Sequence, residues 1–271
     1  IMVQSVFITG GTRGVGLEIA KKFAASGAQV AIVGKTVTPH PKLPGTLDSA
    51  AEEIRQAGAS DVLASACDVR DLEALEQAIK TAGERFGKID LLVNNASALY
   101  LLSAQEITPS KFNLMHEVIV RGSFFAAQYA LPWLKKSANP RIIHLAPPID
   151  LKPKWFAEHT VYTVCKYSSA MLVMGLAEEL AKDGIAVNAV WPRTLLATAA
   201  VQNLLGGDMA VQHSRHPRIV ADAVALLVAK ETSYSGHFHL DEDILRGNGI
   251  NLAQYNCVPG SKLITDLYVE E

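Results

Sequence analysis

At 271 residues, with 49% hydrophobic residues and 19 glycines, the chain carries enough apolar material for one substantial core, so a single domain over 1–271 is expected rather than two small ones. The net charge is -2, and Lys and Arg are scattered, which argues against a nucleic-acid or anionic-membrane surface. Cys67, Cys165 and Cys257 lie far apart without metal-ligand spacing, and no apolar run approaches the ~20 residues of a membrane span; free thiols, no metal, no membrane span and a cytoplasmic location are expected.

Ser5 to Thr9 is a short β-rich run that opens into Gly10-Gly11-Thr12-Arg13-Gly14-Val15-Gly16, after which Leu17, Ile19, Ala20, Phe23 and Ala24 recur at helical spacing. Glycines between a strand and a helix let the backbone approach a pyrophosphate, whose charge then meets the free N–H groups of the helix N-terminus. The next strand, Gln29 to Val33, ends in Gly34-Lys35, where a dinucleotide fold places the residue that reads the adenosine ribose. An acid there would favour NAD; Lys35, with Arg13 from the glycine loop, predicts NADP(H).

Thr36 to Thr46 holds three prolines and reads as a loop. A helix (Leu47 to Ala57), a strand (Asp61 to Cys67), a helix (Asp71 to Phe86) and a strand (Asp90 to Val93) follow, the last ending in Asn94-Asn95-Ala96-Ser97. Beyond these come a long helix from about Pro109 to Lys135 and a strand from Arg141 to Ala146. Next is a helix running through Leu180, then strands near Ile185 to Trp191 and His237 to Leu240 with a helix near Ile219 to Ala229 between them. Leu195 to Met209 reads as an apolar, mobile segment within a substrate loop of about 192–215. The alternation predicts a Rossmann-type, doubly wound parallel sheet of about seven strands, with ligands at the carboxyl ends.

Tyr162 and Lys166 lie four residues apart, which stacks both side chains on one helix face. A tyrosine titrates near ~10, so it exchanges protons near neutrality only if a neighbouring cation stabilises its phenolate. Lys166 is the candidate cation.

Thr9-Gly10-x-x-x-Gly14-x-Gly16, Asp68-Val69, Asn94-Asn95-Ala96 and Tyr162-x-x-x-Lys166, in this order, together resemble the short-chain dehydrogenase/reductase family. Thr38 to Leu43, Pro147-Pro148, Trp191-Pro192 and Asp241-Glu242 are similar to one branch of it. The resemblance implies that Gly10, Gly14 and Gly16 hold the pyrophosphate, Asp68 and Val69 the adenine, and Asn94 and Ala96 the ribose side, with Thr12 and Arg13 of the glycine loop also counted as cofactor-binding. It further implies that Lys166 binds the nicotinamide ribose and lowers the pKa of Tyr162, the acid–base residue, while Pro192, Thr194 and Thr198 close over the nicotinamide. Homodimers or homotetramers paired through the two long helices are implied as well, and Ala126, Ala127, Ala130, Ser168, Ser169 and Ala170 permit close helix packing.

Three departures from the family pattern stand out. Pro192-Arg193 replaces the usual Pro-Gly, Ala146 stands where the family places a carbonyl-polarising serine, and Ile119 where it places a proton-relay asparagine. Neither Ala nor Ile donates a hydrogen bond. The expectation is therefore an NADP(H)-dependent oxidoreductase with weakened turnover on a lipophilic carbonyl or alcohol. Tyr100, Leu101, Leu102, Trp155, Phe156, Leu195, Leu196, Leu204 and Leu205 are candidate pocket walls, and His144, Asp150, Thr160 or Thr163 candidate replacements for the serine. The alternatives are a reductase of activated C=C bonds, or a cofactor-binding pseudoenzyme or engineered variant with little catalysis.

Overall fold

Seven short apolar strands pair side by side into one parallel sheet. In this computed structural model, which describes residues 3–41 and 43–270, they are β1 Ser5–Thr9, β2 Gln29–Gly34, β3 Asp61–Ala66, β4 Leu91–Asn94, β5 Arg141–Leu145, β6 Ala186–Trp191 and β7 Phe238–Leu240. Lys42, within the 38–43 segment, lies outside the described residues. The order is β3-β2-β1-β4-β5-β6-β7, so the winding reverses between β1 and β4 and a crevice opens at their carboxyl ends. β1, β4, β5 and β6 are buried on both faces, whereas the edge strand β3 is partly exposed along its length.

The helices are α1 Gly14–Ala24, α2 Leu47–Gln56, α3 Leu72–Phe86, α4 Pro109–Met115, α5 Gly122–Leu134, α6 Thr160–Leu180, α7 Ala199–Leu204, α8 Gly207–Gln212, α9 Arg218–Val228 and α10 Asp241–Gly247. Ile8, Ile19, Phe23, Ile32, Ile54 and Val224 form the core under α1, α2 and α9; Phe7, Val33, Ile79, Leu92, Ala130 and Val173 form the one under α3, α5 and α6. Neighbours in β1 thus serve opposite layers, as the period of two requires. Local chemistry sets the helix ends. Thr46 and Ser49 cap α2 reciprocally, Asp71 accepts from the Ala74 N–H to start α3, and Gly87 at φ 79 stops it.

Three segments differ from expectation. The helix expected from Pro109 to Lys135 is interrupted by a π turn, His116–Arg121, between α4 and α5. A π turn is a change of backbone hydrogen bonding that no residue type announces, so the sequence does not reveal it. The segment read as an apolar loop after Leu195 contains α7, capped by Thr198, and α8. Beyond β7, where the pattern gave nothing periodic, α10 is followed by a strap, residues 263–269, that returns to the sheet through a bridge between Thr194 and Thr265.

Candidate active site

The crevice is built first from backbone. Thr9 Oγ1 accepts from the N–H groups of Asn95 and Ala96 (both 3.1 Å), and Asn95 Nδ2 donates to the carbonyls of Thr9 (3.0 Å) and Gly10 (2.9 Å). These bonds lash the glycine turn to the end of β4. Gly10 sits at φ 71, and a Cβ on Gly16 would lie 2.4 Å from the Gly10 carbonyl oxygen, so the turn accepts only glycine there. α1 begins without a side-chain cap or an acid in its first turn, which leaves its amino end suited to an anion. The sequence reading passed over Asn95, the clamp.

At the adenosine end, Lys35 is exposed beside Asp68. The Asp68 carboxylate is held by Arg70 (Nη2 to Oδ2, 2.8 Å), whose hydrogen bonds keep it below the usual range. Arg13 is tied to the 36–46 loop, donating to the carbonyls of Pro44 (2.8 Å) and Gly45 (3.2 Å). Thr12 is buried, and Val69 is buried beside Gly122. Asn94 turns inward: its Nδ2 donates to Ser123 O (3.0 Å) and to His144 Nε2 (3.2 Å), pinning β4 to α5 and β5, while Oδ1 has no partner. Ala96 stays at the crevice beside Gly10.

Tyr162 and Lys166 share the buried face of α6, at 6% and 5% exposure, with Ser169, Ala170 and Val173 continuing that face inward. Tyr162 packs in a cluster with Met115, Ile119, Tyr167, Trp191 and Tyr268. Burial holds its phenol well above the ordinary value. Lys166 Nζ donates to Leu145 O (3.1 Å) at the end of β5 and lies 5.1 Å from the Trp191 ring; burial lowers its pKa to about 8. The pair is therefore assembled, with the ammonium directed to Leu145 and Trp191.

The departures have structural counterparts. Ala146 is fully buried at the end of β5, and the π turn presents Ile119 to the Tyr162 cluster. The four candidate replacements are engaged elsewhere. His144 bridges Asn94 and Ser169 (Nδ1 to Oγ, 3.3 Å), and burial, reinforced by Lys166, lowers its pKa to about 3, so it is neutral. Asp150 accepts from Trp155 Nε1 (2.9 Å), Thr160 donates to Phe156 O (2.8 Å), and Thr163 donates to Trp155 O (2.5 Å). The hydroxyl that meets Tyr162 is instead Ser97, exposed just after the double asparagine. Its only sequence signal is that adjacency.

Beyond Pro192, the Arg193 N–H donates to Asp241 Oδ1 (2.9 Å), and its guanidinium turns away to Asp243 (2.7 Å). Thr194 Oγ1 is buried without a partner, and Thr198 reaches within 3.4 Å of where a Gly14 Cβ would stand. An unpartnered hydroxyl and a glycine cradle are what the nicotinamide and the central pyrophosphate of a nicotinamide dinucleotide require, so the residues fit that cofactor. The candidate pocket residues separate. Tyr100, Leu101, Trp155 and Phe156 pack around Tyr162; Leu195 and Leu205 form a small cluster with Val201 and Ala210; Leu196 joins the core under α9, and Leu204 is exposed.

Among the described residues no group of three His, Cys, Asp or Glu is placed to hold a metal ion, and no helix is long and apolar enough to cross a membrane. A family model for short chain dehydrogenase matches residues 4–206. The chain is 45% identical to hydroxysteroid dehydrogenase-like protein 2 of Bos taurus and 43% identical to that of Homo sapiens, in each case over 98% of this chain and 63% of the relative. It thus spans less than two thirds of the length of those relatives. A crystal structure of a short chain dehydrogenase homolog from Mycobacterium thermoresistibile superposes with a TM-score of 0.93 at 48% identity, covering 99% of this chain and 95% of that one. The glycine turn, the switch-point crevice and the Tyr162–Lys166 face, together with these matches, make the chain a member of the short-chain dehydrogenase/reductase family.

Proposed function

We propose that the protein is an NADP(H)-dependent oxidoreductase acting on a lipophilic carbonyl or alcohol. The observation that carries this is the placement of Tyr162 and Lys166 together on the buried face of α6, flanked by the Trp191 ring and the Leu145 carbonyl at the strands' carboxyl ends. When bound, the nicotinamide gives or accepts the hydride. Gly10, Gly14 and Gly16 receive the pyrophosphate, with Thr12 and Arg13 beside them in the glycine loop. Asp68, Val69 and Ala96 line the adenosine side, with Asn94 fixing β4 from behind, and Lys166, Pro192 and Thr194 bound the nicotinamide end. Tyr162 exchanges the proton with the substrate oxygen. Its phenol is high-lying from burial, and favouring the phenolate as a neighbouring cation is the work assigned to Lys166. The 192–215 segment, with α7 and α8, covers the substrate.

The apolar residues Ala146 and Ile119 favour slow turnover, and so keep reduction of an activated C=C bond, where polarisation of a carbonyl matters less, as the second reading. NADPH oxidation against a panel of ketones and enones tests both. Consumption with ketones is expected; consumption with enones alone supports the second reading, and binding without consumption on any substrate makes the chain a cofactor-binding protein.

Preference for NADP(H) rests on Lys35, exposed directly after β2 at the position where an acid would favour NAD. Lys35→Glu is expected to weaken NADPH binding at least ~10-fold while NADH changes by less than about 3-fold, because only the former offers a 2'-phosphate. Nicotinamide fluorescence titration measures both; equal losses would remove the preference.

Homo-oligomerisation needs a different surface from the small-residue stripes. Ala126, Ala127, Ala130, Ser169 and Ala170 are buried in the chain's own core. The α6 face instead exposes Val164 (47%), Met171 (54%) and Met174 (55%), positions that fall on one side of the helix, and a second copy paired through this face would cover them. Met171→Glu with Met174→Glu is expected to halve the mass measured by light scattering, and an unchanged mass would exclude this face. Cys67 and Cys165 are buried free thiols and Cys257 an exposed one, which fits a reducing, cytoplasmic setting.

A further inference from the structure

The adjacent acids Asp241 and Glu242, at the start of α10, are buried at 1% and 2% exposure, where a carboxylate persists only with partners. Their partners are the two ends of the segment that carries α7 and α8. Asp241 Oδ1 accepts from the Arg193 N–H (2.9 Å), where the segment begins after Pro192. Glu242 Oε1 accepts from Arg215 Nε (2.8 Å), where it ends, and Glu242 Oε2 from Arg246 Nη2 (2.7 Å). Arg215 is itself buried, and it donates further to Leu252 O (2.6 Å) and to Asn256 Oδ1. Asp241 Oδ1 also accepts from the Glu242 N–H (2.7 Å), so the two attachments are joined. The ends bond to each other as well, Arg215 N–H to Leu195 O (3.0 Å) and Ala197 N–H to Arg215 O (2.9 Å). The strap bonds the first end in turn, Asp266 N–H to Arg193 O and Leu195 N–H to Ile264 O (both 2.9 Å). The backbone groups of Arg193 and Leu195 are therefore all engaged, and Thr194 is fixed between them with its buried Oγ1 left unpartnered.

We propose that Asp241 and Glu242 are positioning residues that clamp both ends of the covering segment, holding Thr194 at the nicotinamide end and Thr198 at the glycine turn. The proposal rests on the reading of the crevice as a dinucleotide site covered by this segment. Beyond its clamped ends the segment packs mainly on itself: Leu195, Val201 and Ala210 form a cluster apart from the two cores that flank the sheet. It reaches the glycine turn through Thr198, 3.4 Å from where a Gly14 Cβ would stand. A segment with little apolar anchorage takes its position from its ends, which is why two buried acids stand there. Asp241 works by geometry rather than charge, because both of its bonds are accepted from backbone N–H groups at Oδ1 while Oδ2 has no partner. Glu242 works as an ion pair, its two oxygens divided between Arg215 and Arg246.

Amide hydrogen exchange of the full chain without cofactor tests the clamp. In Asp241→Ala the amides of Leu195, Ala197 and Arg215, whose own bonds the substitution does not touch, are expected to exchange at least ~10-fold faster, while Val187 to Val190 in β6 keep the parental rate. Asp241→Asn retains an accepting oxygen and is expected to stay within ~2-fold of the parent at all of them. Acceleration confined to Arg193, equal acceleration in β6, or an Asn variant as fast as the Ala one overturns the proposal. Arg215→Met with Glu242→Leu exchanges the second attachment for apolar side chains, a replacement that buried ion pairs often tolerate, and decides the matter if Asp241→Ala does not fold. Faster exchange at Leu195 and Ala197 with β6 unmoved is expected there, and parental rates overturn the proposal. Two nucleotides then separate positioning from general weakening, since NADP+ extends to the nicotinamide end and 2',5'-ADP stops at the adenosine end. Calorimetry on Asp241→Ala is expected to show about 10-fold weaker NADP+ binding with 2',5'-ADP within ~2-fold of the parent. Equal losses for both, or no loss for NADP+, overturn the role at the nicotinamide end. A parent chain that binds neither nucleotide would sink the function above, and the exchange rates would still decide the clamp.

Discussion

Tyr162→Phe is expected to lower NADPH-dependent carbonyl reduction by about 10²- to 10⁴-fold, the usual contribution of a positioned acid–base group, with cofactor affinity within about 2-fold of the parent. The ring keeps its place among Met115, Ile119, Tyr167 and Trp191, so packing survives. The lost hydroxyl leaves Ser97, which is exposed and can turn to water, so the stability cost is below ~1 kcal/mol. Because the hydrogen bond is made to an oxygen whose charge develops during reaction, kcat falls while KM is nearly constant. Lys166→Met should look different. It frees the Leu145 carbonyl, removes the cation over Trp191 and withdraws a residue from the nicotinamide end, so affinity and rate fall together. Stopped-flow and steady-state kinetics on an activated diketone separate the two patterns. A Tyr162→Phe protein that keeps the parental rate would remove Tyr162 from the chemistry.

The parts legible in the sequence are those whose causes are local. Gly10 and Gly14 announce a turn because glycine is needed at positive φ, Gly16 because a Cβ there would meet the Gly10 carbonyl, and Tyr162 and Lys166 announce a face because helical spacing stacks them. Asp71 reads as a cap within its own tetrapeptide. The parts that escaped depend on residues far apart in the chain. Asn95 reaches Thr9 across 86 residues, and Tyr268 reaches Thr163 across 105. No window of sequence contains both partners. The strap lacks a helical or strand period, so nothing marked Leu267 as belonging beside Trp191. The π turn escaped for another reason, since no residue type announces a change of backbone hydrogen bonding, although Ile119 within it joins the Tyr162 cluster. Small-residue stripes leave two readings open, because close packing inside one chain and between two chains selects the same residues.

Ala146→Ser is expected to raise carbonyl reduction by about 10²- to 10³-fold, since one preorganised donor to a developing oxyanion contributes that much, and Ala146→Ser with Ile119→Asn by about 10³- to 10⁴-fold. The asparagine adds about ten-fold, and the two gains are coupled because both act through the same tyrosine–lysine pair. The same double change lowers stability. Ala146 is fully buried, where an unpartnered hydroxyl costs about 1–3 kcal/mol, and Ile119 packs in the Tyr162 cluster, where loss of its branched side chain costs about 2–4 kcal/mol. A rise in rate accompanied by a fall in Tm is therefore the specific expectation. A rate within two-fold of the parent would overturn the assignment of both positions. A rate that rises with no loss of Tm would mean that the serine and asparagine find partners the apolar pair never used, and that Ala146 and Ile119 contribute less to packing than their burial implies.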